Sequence, residues 1–173
     1  MNRTLTAILV ILIVLGSITT SCQSNEGATE APQVGKPAPD FQFQGPDEQP
    51  ISLSDLKGKP VLINFWQIRC DPCRREMPYL QQIYDQWQGR GLVLLAINIG
   101  ENPSQVAEFM QSQGLSLPVL LDSGGKIAQQ YGIRAIPTSF FIDKDGIIQD
   151  IRIGAFRSKA EIESSLSKLN MTQ

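Results

Sequence analysis

The chain has 173 residues, 42% hydrophobic and 18% charged, enough for one domain of ordinary size plus an accessory segment. Its formal net charge of −2 and pI near 5.2, with no basic run in the body of the chain, leave no electrostatic case for nucleic acid. It contains no histidine, which excludes imidazole metal ligands, histidine acid–base catalysis and the usual catalytic triads.

Residues 1–22, MNRTLTAILVILIVLGSITTSC, read as an address rather than as part of a fold. Arg3 supplies a short positive region. Leu5 to Ile18 is an almost unbroken apolar run, shorter than the about 20 residues that span a bilayer. The ending TTSC resembles a bacterial lipobox, in which the cysteine, here Cys22, is lipidated and becomes the mature N-terminus, although Thr19 stands where a bulky aliphatic is usual. The alternative is an uncleaved signal anchor with its helix stretched through Ser21. Either one tethers the protein outside the cytoplasm. Residues 23–37 are polar and aperiodic and read as a flexible spacer, so the domain is expected over 38–170.

DFQF and PISL, joined through Gly-Pro-Asp, predict a β-hairpin over 41–53. VLINFW (61–66) predicts a buried strand. Met77, Leu80, Ile83, Tyr84 and Trp87 recur at helical spacing, so a helix over about 72–88 buries one face. Pro78 inside it should kink it. LVLLAINI (92–99) has the continuous apolar character of a central parallel strand. Pro103 and Gly114 bracket a helix, PVLL is a short strand, and GKIAQQYG a short helix ending at Gly132. TSFFID and IIQDIRIG are strands joined by the turn KDG. A last helix starts at the cap Ser158 with Glu161 three residues on, and carries Ile162, Leu166 and Leu169 as its apolar stripe. The sum is an α/β domain: a mixed sheet covered by helices on both faces.

Cys22 is accounted for by the anchor, which leaves Cys70 and Cys73 in the motif RCDPCRREMP, in a compartment where disulfides persist. Three readings are open: a redox couple, half of a zinc site, or a static bridge. A four-ligand zinc site would need two more Cys or His, which the domain lacks. A bridge across so small a loop removes little chain entropy. At the N-terminal end of a helix, unpaired N–H groups and the helix dipole favour Cys70 as thiolate, the species that attacks disulfides. Pro72 suits the first helical turn. Asp71 interacts well with the dipole but repels a neighbouring thiolate, and Arg69 pulls the other way. Glu76, one turn after Cys73, is either an exposed helix glutamate or a carboxylate that takes and returns the proton of a thiol; burial would raise its pKa toward the useful range.

FWQIRCDPCRREMP, with Pro78 five residues after Cys73 and the distant AIPTSFFID, resembles the thioredoxin superfamily. Within it, the chain is most similar to the membrane-tethered TlpA-like or ResA-like thiol–disulfide oxidoreductases, over roughly residues 36–170. The resemblance implies a thioredoxin-like sheet with an N-terminal hairpin and an extra helix and strand before the proline loop. It makes Cys70 the exposed attacking sulfur, Cys73 the buried resolving one, and Glu76 the acid that serves them. It gives Pro137 a cis peptide bond beside the disulfide and lets Ile136 pair with a bound polypeptide. Trp66 would be core or pocket wall. Arg69 stands where family members often carry Trp, which bears on partner docking. The implied partners are protein thiols and disulfides, with a membrane electron donor; no metal or organic cofactor is implied, and a monomer is expected. The implied role is that of a reductant on the extracytoplasmic face of a bacterial membrane, in the setting of cytochrome c maturation. Two other classes are weighed: a thiol peroxidase of the peroxiredoxin group, which would want a Thr or Ser at fixed spacing before the cysteine and a nearby Arg, a pattern that Ile68 and Arg69 do not make, and a non-catalytic thioredoxin-fold binding module.

Overall fold

A computed structural model describes residues 31–45 and 49–169. The expected leader, Cys22 and the tip of the first hairpin lie outside the described residues. Among the described residues, no helix is long and apolar enough to cross a membrane.

The order of elements follows the sequence pattern. β1 (Gln42–Gln44) and β2 (Pro50–Ser52) form an antiparallel hairpin. β3 (Val61–Trp66), α1 (Asp71–Trp87), β4 (Val93–Ile99), α2 (Pro103–Ser112), β5 (Val119–Asp122) and α3 (Lys126–Gln130) follow. β6 (Thr138–Ile142), β7 (Ile148–Ile153) and α4 (Lys159–Leu166) complete the domain. The main sheet has the order β5-β4-β3-β6-β7; β3, β4 and β5 are parallel, and β6 and β7 antiparallel.

β3 is buried at every position because both of its faces are covered. Leu62 and Trp66 face a core shared with α1, α2 and α4, through Met77, Leu80, Ile83, Val106, Ile162 and Leu166. Val61, Ile63 and Phe65 face the opposite core, with Phe41, Leu53, Ala128, Tyr131 and Phe140. The tight β6–β7 turn is closed by Asp143, whose Oδ1 accepts from the N–H groups of Asp145 and Ile147, with Gly146 at φ +84°.

One local expectation changes in detail. The domain takes hold of the chain inside the segment read as a spacer: the Gly35 N–H donates to the Ile148 carbonyl and the Ile148 N–H donates to the Lys36 carbonyl, at 2.8 and 2.9 Å. Pro37 then bridges to Ile147. This covers the outer edge of β7, whose unpaired backbone needs partners, and needs no apolar periodicity. α1 runs on either side of Pro78, which is exposed. The carbonyl its missing N–H would have met is that of Arg74, itself an exposed residue.

Leu80 is fully buried between α1 and the sheet. Leu80→Ala is expected to destabilise the domain by about 2–5 kcal/mol in denaturant unfolding.

Candidate active site

The junction of β3 and α1 is a short loop ending at Cys70. Cys70 is extended (φ −89°, ψ 101°) and caps α1, its Sγ accepting from the Cys73 N–H at 3.2 Å. The missing N–H of Pro72 leaves no donor unmet in that first turn. Cys70 and Cys73 form a disulfide with Cα atoms 5.2 Å apart. Cys70 is partly exposed, whereas Cys73 is fully buried. Of the two sulfurs, only that of Cys70 is open to attack from outside.

The Ile136–Pro137 peptide bond is cis. The Ile136 carbonyl oxygen lies 3.7 Å from Cys70 Sγ, so the proline loop forms the second wall of the site. That loop is held by the Gly154 N–H, which donates to the Pro137 carbonyl at 2.8 Å, and by Thr138 Oγ1, which donates to the Ala135 carbonyl. Ile153 pairs with Thr138 and is 70% exposed, an apolar side chain left in solvent beside the proline loop.

Behind the disulfide is a buried polar cluster. Glu76 is fully buried, on the face of α1 that carries Cys73. Its Oε1 accepts from Asn64 Nδ2 and its Oε2 from the Phe156 N–H, each at 2.8 Å. Asn64 also donates to Ser139 Oγ at 3.0 Å. Burial pushes the Glu76 carboxyl up to about 7; the two hydrogen bonds and the Arg152 charge oppose the rise without cancelling it. Arg152 stacks over the Phe156 ring at 5.6 Å and pairs with Glu161 at 3.3 Å. Glu76 is thus poised to gain or lose a proton near neutral pH.

The other expected site residues divide. Arg69 is exposed and lines a hollow of about 320 Å³ with Glu101, Glu108 and Phe109. Asp71 pairs with Arg74 on the exposed start of α1. Trp66, expected as core or pocket wall and placed with the substrate-binding residues on the second of these, is fully buried against Phe109 and belongs to the core, because β3 is covered on both faces up to its last residue. Sequence reading missed Asn64 and Arg152 as partners of Glu76, and Ser139 as the second acceptor of Asn64. The signal was an Asn and a Ser inside otherwise apolar strands, where a buried polar side chain requires a partner.

The profile of the AhpC/TSA family matches residues 34–151. A thiol-disulfide oxidoreductase ResA of Bacillus thuringiensis (strain Al Hakam) is 38% identical over 169 residues, 97% of each chain. The chain belongs to the AhpC/TSA family, among its ResA-like thiol–disulfide oxidoreductases. Two solved structures of similar proteins agree with the ResA-like fold. StoA of Bacillus subtilis superposes with a TM-score of 0.63 at 30% identity, covering 76% of this chain and 98% of its own. The exposed lipoprotein thioredoxin Etrx1 of Streptococcus pneumoniae gives 0.63 at 32% identity, covering 76% and 100%. Within this ResA-like group the chain is an enzyme of thiol–disulfide exchange.

Proposed function

We propose that the protein reduces disulfides of extracytoplasmic polypeptides, with Cys70 as attacking thiolate, Cys73 as resolving thiol and Glu76 as the proton acceptor. Cys70 attacks one sulfur of a substrate disulfide, a mixed disulfide forms, and the first substrate thiolate leaves. Cys73 gives its proton to Glu76 and attacks Cys70 Sγ. The second substrate thiolate leaves, and the enzyme holds the Cys70–Cys73 disulfide. Two electrons pass to the substrate, and a membrane dithiol donor returns them. The cysteine pair of an apocytochrome c is a substrate of suitable chemistry. Ile136 offers backbone for strand-like pairing with the polypeptide, and exposed Ile153 and Arg69 flank it. No cofactor beyond the disulfide takes part. The protein works as a monomer, held at the membrane by lipid on Cys22 or by an N-terminal helix; one similar protein is itself called an exposed lipoprotein.

The observation that carries the direction is the placement of acids. Glu76 is buried one turn from Cys73, and its ionised form disfavours a thiolate beside it, which makes the reduced pair a ready electron donor; Asp71 adjoins Cys70 but is offset by its partner Arg74 and by Arg69. A redox titration of the full chain in defined thiol buffers, with free thiols counted by mass, tests the reading. A two-electron transition near the thioredoxin value of about −270 mV is expected. A transition near about −120 mV would make the protein an oxidant instead.

A further inference from the structure

The loop that delivers Cys70 to the helix has an anchor outside the exchange machinery. Glu101 lies between β4 and α2. Its Oε2 accepts from the Ile68 N–H and from Asn98 Nδ2, both at 2.7 Å. Asn98 is fully buried and stands in register beside Trp66, the last residue of β3, so the carboxylate is fixed to the rigid end of the sheet. A second tie runs alongside: Gln67 Nε2 donates to the Ile99 carbonyl at 2.9 Å. The Cys70 N–H donates to the Gln67 carbonyl at 3.3 Å and closes the turn. Residues 67–70 are therefore pinned to the β4–α2 loop by one neutral and one charge-assisted contact, and the charged one is the stronger kind.

We propose that Glu101 is a positioning residue for the attacking sulfur: by holding the Ile68 N–H, it keeps Cys70 in the extended capping conformation in which Sγ receives the Cys73 N–H. If the loop relaxes, the sulfur loses that donor and the favourable end of the helix dipole, and its thiolate becomes less populated. Glu101 also brings a negative charge, whose effect on a thiolate has the opposite sign. The two roles are therefore separable. The inference rests on thiol–disulfide exchange at Cys70 and not on the direction of electron flow.

The test is the rate at which iodoacetamide alkylates Cys70 at pH 7 in the reduced full chain, with the modified residue assigned by mass. The thermal midpoint of the disulfide form serves as a check on folding. Glu101→Gln keeps an acceptor oxygen and is expected to react within about twofold of the parent. Glu101→Ala loses both contacts and is expected to react about tenfold more slowly. Glu101→Asp keeps the charge but shortens the reach, and is expected to be slowed as well, so a misfolded alanine variant leaves the inference testable. Parent-like rates in Glu101→Ala and Glu101→Asp would overturn it. So would equal acceleration of Glu101→Gln and Glu101→Ala, which would mean that Glu101 acts only through its charge.

Discussion

Cys70→Ser is expected to abolish reduction of a disulfide-bonded protein substrate, with a loss on the order of 10³-fold or more in a reductase assay at pH 7. Cys73 is fully buried beneath Cys70, so the other sulfur of the pair cannot take over the attack. The serine hydroxyl is not ionised near neutral pH, and the histidine that usually activates a Ser nucleophile is absent from the chain. The fold should tolerate the change, because serine is a better helix cap than most residues and can keep the contact from the Cys73 N–H. Undiminished activity in Cys70→Ser would assign the chemistry elsewhere.

Glu76→Gln carries the second large expectation, in rate and in stability. Removing the proton acceptor for Cys73 is expected to slow resolution of the mixed disulfide by about 10²-fold and to remove an ionisation near pH 7 from the rate profile. The stability effect follows from the sign of the shift. Burial raises the carboxyl from 4.5 to about 7, so the native state keeps a proton that the unfolded chain releases between those values. The contribution of the protonated acid is whole below about pH 4.5, declines as pH rises, and is lost above about pH 7. Glutamine does not titrate. In urea unfolding of the disulfide form, the stability of Glu76→Gln relative to the parent is therefore expected to rise by roughly 3 kcal/mol from pH 4 to pH 8. The offset at low pH depends on how the amide meets the Asn64 and Phe156 donors, but the slope does not. A flat difference across that range would mean that Glu76 ionises as an ordinary surface carboxylate.

How far the sequence reached depends on the range of the interactions. β3 and α1 are legible because burial on both faces produces a continuous apolar run and one buried face produces a 3.6-residue period. The cap at Ser158 is legible because its partner, the Glu161 N–H, is three residues away. The cis bond at Pro137 was legible only by resemblance, since most X–Pro bonds are trans. The cluster behind the disulfide is different. Glu76 meets the Phe156 N–H across 80 residues and Asn64 meets Ser139 across 75, contacts that exist only once β6 and β7 have taken their places in the sheet. No local pattern encodes them. Burial of Glu76 itself could be argued from its place between Cys73 and Met77 on the apolar face of α1, but not what would satisfy its oxygens. Trp66 stayed open between core and site wall for a related reason: only the packing of α2 through Phe109 decides that it closes into the core.

The division of labour between the two sulfurs is the centre of the account, and trapping the intermediate tests it most directly. The full-length Cys73→Ser protein, reduced and mixed with a disulfide-bonded peptide, should accumulate a one-to-one mixed disulfide. Mass mapping should place the bond on Cys70, and added dithiol should release the peptide. Failure of Cys73→Ser to hold the peptide on Cys70 would contradict it, whether the adduct forms on another residue or no adduct forms at all.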